Sequence, residues 1–259
     1  MDICCVRHGF PDNGIRLRKD VHSGRTGSDP LPFFLAGSCI GSPPAFRDIG
    51  AMKFIFDIDG MSGGDAEAID SECTDIFGRM EFIKEKGYRL RYVGMRDEAF
   101  CGDLMTIASD IPKIMGAALI ELYANGVGDT EELARILTKK NPSGYDDPGA
   151  RPFYHFRIGS FLYEMVLGVD TAGVFWVGVE DMNGRHMKVK ETGETAYYKI
   201  YSTYEFKKYL LENTRLIIPV APQHRCGIIE RTEDGRYTID LSMQLSFIPR
   251  TGGPSSILR

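Results

Sequence analysis

Two carboxylates separated by one residue stand where a predicted strand meets a glycine-rich loop. Asp57 and Asp59 follow the apolar run at 54–56, and side chains two positions apart on an extended strand point to the same side. Carboxylate oxygens suit a hard cation such as Mg²⁺, and a strand-end aspartate can act as a covalent nucleophile. The spacing makes Asp57 and Asp59 the candidate catalytic and metal-binding residues, with Ile58 expected on the opposite face of the strand.

The loop that follows is a candidate cofactor-binding segment. Gly60, Gly63 and Gly64 permit a tight turn, and Ser62 or Asp65 can cap the next helix. Backbone N–H groups at a helix N-terminus can hold a phosphate. However, the glycine spacing is not that of a dinucleotide-binding fingerprint, and no Gly-Lys-Ser/Thr follows it. The loop therefore predicts at most a simple phosphate cradle.

The elements around the loop predict how it is held. A set of apolar residues at spacings of three and four predicts one long amphipathic helix that ends at Gly87, and residues 88–95 alternate as the next strand. The order strand, helix, strand predicts a βαβ unit whose carboxylates lie at the carboxyl end of the first strand, where open α/β sheets bind ligands. The apolar helix positions are Ile69, Cys73, Ile76, Phe77, Met80 and Ile83.

The rest of the chain predicts an α+β fold with a βαβ-like start. The first half, 52–145, is α-rich, with helices predicted near 104–108, 111–123 and after the capping box at 129–132. A loop at 141–149 precedes a mostly antiparallel, β-rich second half at 150–250, which forms either a separate region or one domain with 52–145. Its strands are predicted at 154–169, 173–179, 186–189, 197–201 and 216–220 and as a hairpin at 227–241, with one helix after 202.

Residues 1–51 differ in character from the remainder. Gly, Pro and Ser supply 16 of these 51 positions, and no helical or strand period persists. Such a segment buries too little surface to offset its ordering entropy. We expect it to be disordered or a non-native extension, in which case Met52 is an alternative start.

The segment Phe54-Ile-Phe-Asp57-Ile-Asp59-Gly60 resembles the first motif of the haloacid-dehalogenase-like phosphotransferases. By that resemblance Asp57 would be the nucleophile and Asp59 the general acid/base, and both would help to hold magnesium. The resemblance implies a Mg²⁺-dependent phosphatase or phosphotransferase. It covers seven residues, and the remaining parts of such a catalytic set are not visible in the sequence.

Composition narrows the function classes. A net charge of −5 without a basic run argues against non-specific nucleic-acid binding. No apolar segment reaches the roughly 20 residues that cross a bilayer, and the six cysteines lack disulfide or zinc spacing, so we expect a cytoplasmic protein. The leading hypothesis is a non-catalytic binding or accessory protein of a bacterium or mobile genetic element, without a cofactor, that binds another protein. The phosphatase with Mg²⁺ is the alternative, and the oligomeric state stays open.

Overall fold

The structure is a computed structural model that describes residues 52–167, 203–219 and 226–247, and also the strands at 33–38, 45–46, 184–189 and 195–200. Helices and mainly antiparallel strands alternate in these residues, which confirms the predicted α+β class. The helices are α1 (Gly63–Glu72), α2 (Ile76–Glu85), α3 (Glu98–Ile107), α4 (Ile111–Asn125), α5 (Thr130–Lys140), α6 (Phe153–Leu167) and α7 (Thr203–Asn213). The strands are β1 (Phe33–Ser38), β2 (Ala45–Phe46), β3 (Lys53–Asp59), β4 (Arg89–Met95), β5 (Gly184–Val189), β6 (Thr195–Ile200), β7 (Thr214–Ile217), β8 (Ile229–Arg231), β9 (Tyr237–Ser242) and β10 (Gln244–Phe247).

The sheet that positions the candidate residues has the strand order β4-β3-β9-β8 and is antiparallel throughout; we call it the central sheet. Its register places Asp57 between Arg91 on β4 and Thr238 on β9. The pairing of β3 with β4 shifts between Ile55 and Phe56, as at a β-bulge. Because β9 comes from the second half of the chain, this one sheet joins the two halves.

The two faces of the central sheet differ in chemistry because side chains alternate along each strand. Phe54, Phe56 and Ile58 are buried in the hydrophobic core, so Ile58 does lie opposite the carboxylates. The face that carries Asp57 and Asp59 is polar, and we call it the polar face. Its other members on the neighbouring strands are Arg91, Thr238, Asp240 and Glu230.

Helix α4 is the buried centre of the helical layer. Pro112 lies in its first turn, and Gly126 ends it in the left-handed conformation. Tyr123 Oη donates a 2.7 Å hydrogen bond to the carbonyl of Ser242, which ties α4 to the end of β9. The predicted capping box before α5 is also present, since Asp129 accepts from the N–H of Glu132 at 3.0 Å. None of the helices in the described part of the chain is long and apolar enough to cross a membrane.

The predicted βαβ unit differs from the structure in two respects. Strands β3 and β4 are neighbours but antiparallel, so no parallel crossover forms and the strand ends do not make the expected ligand crevice. The predicted long helix is two helices, because Asp75 accepts from the N–H of Gly78 and begins α2. The break turns Phe77 outward, where it is 58% exposed instead of buried.

The segment at 154–167 is helical, and its prediction as a strand was wrong. Its buried residues recur at helical spacing, and the aromatic content of the segment hid that period. The strand predicted at 173–179 lies outside the described residues. The hairpin of β8 and β9, the strands β5 and β6 and helix α7 match their predictions. The buried apolar side chains of α6 are Tyr154, Ile158, Phe161, Leu162, Tyr163 and Met165.

Two strands lie within residues 1–51. β1 pairs in parallel with β5, and β2 pairs with β10, so both join sheets whose other strands come from the second half. The division of the chain into 1–51, 52–145 and 150–250 stays a prediction.

The difference in burial between Phe54 and Phe77 predicts stability losses of different size for the same substitution to alanine. Phe54→Ala removes a fully buried ring from β3 and should lower the free energy of unfolding by about 3–5 kcal/mol. Phe77→Ala, at the exposed position on α2, is the matched control and should cost below about 1 kcal/mol. Urea unfolding measures both, and similar losses for the two variants would contradict the assigned faces.

Candidate functional site

Asp57 is the buried anion of the polar face. Its side chain is 3% exposed, and its Oδ2 accepts from Arg91 Nη2 at 2.6 Å and from Arg236 Nη1. Arg91 lies on β4 and Arg236 directly precedes β9, so the two guanidinium groups approach from both sides of β3. The other oxygen, Oδ1, is buried without a partner among the described residues. One carboxylate oxygen therefore holds two cations.

Two exposed carboxylates hold the same arginines from their outer sides. Asp59 Oδ1 lies 3.4 Å from Arg91 Nε, and Asp234 Oδ2 accepts from Arg236 Nε at 2.7 Å. The pKa of Arg236 lies above its usual range because Asp234 and Asp57 stabilise the charged guanidinium group. Each arginine is therefore held at two points, one buried and one exposed.

A second ion-pair cluster lies further along the polar face. Arg96 Nε donates to Asp240 Oδ2 at 2.9 Å, and Arg96 Nη2 pairs with Glu230. These two carboxylates hold the pKa of Arg96 above its usual range. Arg96 lies just after β4, and it therefore links β4 across β3 to β8 and β9. No sequence motif marked these arginines as functional, although Arg89 and Arg91 alternate with apolar residues in the predicted strand.

The predicted glycine loop is a turn followed by the first turn of α1. Gly60 has a φ of 81°, which favours glycine, whereas Gly63 and Gly64 are the first residues of α1. Ser62 caps the helix, and Asp65 accepts from Tyr88 Oη at 2.6 Å and pairs with Lys86 at 2.8 Å. Lys86, Tyr88 and Ser62 hold the pKa of Asp65 well below its usual range.

Helix α1 already has an acidic residue in its first turn. The helix end already carries the carboxylate of Asp65, which occupies the position that a bound anion would favour. The roles of Gly60, Gly63 and Gly64 in binding a cofactor stay a prediction.

The described residues do not assemble a metal site of the expected kind. Within that part of the chain, no group of three or more His, Cys, Asp or Glu side chains could hold a metal ion. The Oδ2 of Asp57 faces two guanidinium groups, which repel a further cation. The roles of Asp57 and Asp59 as catalytic and metal-binding residues stay a prediction.

Asp57 is buried whereas its two arginine partners are half exposed, so removing the arginines should lower the free energy of unfolding more than removing the carboxylate charge. Arg91→Met together with Arg236→Met leaves a buried carboxylate without a cation, and should lower the free energy of unfolding by about 3–5 kcal/mol. Asp57→Asn should cost less, because the two half-exposed guanidinium groups left behind stay hydrated. Urea unfolding measures both, with Asp59→Asn as a near-neutral control. A larger loss in Asp57→Asn than in the double variant would contradict this ion-pair geometry.

Comparison with known proteins gives a family. The model of the HpaII restriction endonuclease family matches residues 16–247. A curated relative, the type II restriction enzyme HpaII of Haemophilus parainfluenzae, is 28% identical over 229 residues, which cover 88% of this chain and 63% of the relative. The chain thus spans less than two thirds of the length of that relative. No solved structure gives a significant match.

These matches overturn both functional hypotheses from the sequence. The non-catalytic, protein-binding hypothesis is wrong because the family is one of nucleases. The haloacid-dehalogenase-like phosphatase is wrong as well. Its resemblance covers only seven residues, and β3 lies antiparallel between β4 and β9.

The expectation that nucleic acid is an unlikely partner is also wrong. It rested on the net charge of −5, which sums over the whole chain and does not report how charges are distributed. The structure places five exposed arginines on or beside the central sheet. They are Arg89, Arg91, Arg96, Arg231 and Arg236. Since the family model covers about nine-tenths of the sequence, the chain belongs to the HpaII restriction endonuclease family.

Proposed function

We propose that this protein is an endonuclease that hydrolyses phosphodiester bonds of duplex DNA at a defined short sequence. The observation that carries the proposal is the family match over residues 16–247. The curated relative is by its name a type II restriction enzyme. Because the chain spans 63% of that relative, the activity, the recognised sequence and the assembly state of the whole protein all belong to the proposal.

The polar face supports a role in binding DNA. Phosphate oxygens accept most of the hydrogen bonds that proteins make to DNA, and arginine is a frequent donor. Arg91 and Arg236 are 58% and 53% exposed, although both are anchored to a buried carboxylate. Arg89 and Arg96 are also exposed. A chain with a negative net charge can therefore still present fixed cations to a DNA backbone.

The expectation that the protein needs no cofactor has no support, because type II restriction enzymes typically use Mg²⁺. The earlier magnesium alternative is compatible with that chemistry. When bound, Mg²⁺ would supply charge stabilisation at the scissile phosphate. The arrangement around Asp57 does not fit such an ion, since two guanidinium groups already share its Oδ2.

Digestion of plasmid and genomic DNA tests the proposal. The purified protein should convert both into discrete fragments in Mg²⁺ and leave them intact in EDTA, and sequencing of the fragment ends should reveal one short common motif. Random degradation, or no cleavage by folded protein with any divalent cation, would contradict the proposal.

A parallel preparation of Asp57→Asn controls for contaminating nucleases. This variant should cleave DNA more slowly whether Asp57 takes part in catalysis or only holds Arg91 and Arg236 in place. Equal cleavage by both preparations would assign the activity to a contaminant.

A further inference from the structure

We infer that Asp57 is a positioning residue, which holds Arg91 and Arg236 as a pair of donors for a DNA backbone phosphate. The inference rests on the proposed function and adds to it the surface of the chain that meets DNA. It differs from the sequence-based hypothesis, in which Asp57 itself attacks the phosphorus or binds the metal.

Arg91 and Arg236 share one oxygen atom of Asp57. Arg91 Nη2 and Arg236 Nη1 both donate to Asp57 Oδ2, although the arginines lie on opposite sides of β3. Two guanidinium groups on one oxygen atom are close neighbours, and their mutual repulsion must be offset by that carboxylate. Without Asp57, the two long side chains would separate and sample many rotamers.

Asp57 and its two arginine partners differ sharply in solvent exposure. The Asp57 side chain is 3% exposed, whereas the two arginine side chains are each more than half exposed. A ligand that approaches the polar face here therefore contacts the two exposed guanidinium groups and not the buried carboxylate. Ligands that suit two adjacent guanidinium groups are anions with several oxygen atoms, and a phosphodiester has two non-bridging oxygen atoms that share one negative charge.

Each of the two arginines keeps one guanidinium nitrogen that is not used in the ion pairs with Asp57, Asp59 or Asp234. Asp57 and the exposed acids engage Nη2 and Nε of Arg91, and Nη1 and Nε of Arg236. In the described residues, Nη1 of Arg91 and Nη2 of Arg236 donate to no other group. Surface ion pairs such as those with Asp59 and Asp234 contribute little and exchange readily. A phosphate can therefore displace the exposed acids while Asp57 keeps both arginines in place.

The exposed acids beside the two arginines predict the direction in which DNA affinity should change when they are neutralised. Asp59 and Asp234 compete with phosphate for the same arginines, so Asp59→Asn and Asp234→Asn should each tighten DNA binding. A purely structural role for the polar face predicts no gain in affinity from either change.

The test is binding of a fluorescently labelled duplex, measured by anisotropy across a range of salt concentrations in EDTA and again in Ca²⁺. Arg91→Gln and Arg236→Gln should each weaken binding about tenfold and lower the slope of log K against log salt by about 1. Arg135→Gln is the matched control: Arg135 is 57% exposed on α5 and pairs with Glu132. This control should bind as the wild type does.

Asp57→Asn separates the two roles of that residue. A positioning role predicts weaker DNA binding in EDTA, where no metal can contribute. If Asp57→Asn binds DNA as the wild type does in both buffers but no longer cleaves it, Asp57 acts at the reaction, and our inference is wrong while the nuclease proposal stands. The two arginine variants carry the test if Asp57→Asn does not fold.

The remaining outcomes also decide between the claims. Wild-type affinity in both Arg91→Gln and Arg236→Gln, with cleavage intact, would overturn the inference alone. A folded wild-type protein that neither binds nor cleaves DNA would overturn both the inference and the proposed function.

Discussion

The register of β3 between β4 and β9 is the constraint on which the rest of the structure depends. It places Asp57 opposite Arg91 on one side and opposite Thr238 on the other, with Arg236 two residues before Thr238. A slip of one residue in either pairing would move Asp57 into the aromatic core and bring core residues to the polar face. The same register that closes the core therefore also assembles the two arginines on one carboxylate.

Local signals in the sequence predicted much of the fold. The cap at Asp129 and the hairpin turn between β8 and β9 each depend on a few neighbouring residues, and both are present as predicted. The errors fell where tertiary contacts decide. No local signal fixes the direction in which β4, an edge strand of the central sheet, pairs with β3, and the helical period at 154–167 was hidden by its aromatic residues.

The candidate site was predictable only in part. The spacing of Asp57 and Asp59 marked the end of β3, but the partners of Asp57 lie 34 and 179 positions away along the chain, and no local pattern connects them. The function could not be predicted from the sequence, because the seven-residue motif indicated a phosphatase and the negative net charge argued against DNA binding. The family match corrected both expectations, and the arrangement of charges on the central sheet gives a physical reason for the correction.

A crystal structure of the protein with a duplex that contains its cleavage sequence, with Ca²⁺ in place of Mg²⁺, tests this account most directly. We predict that the DNA backbone lies over the polar face, with a phosphate between the guanidinium groups of Arg91 and Arg236 and with both arginines still bound to Asp57. DNA bound at another surface, or a Ca²⁺ ion on Asp57 with the two arginines displaced, would contradict it.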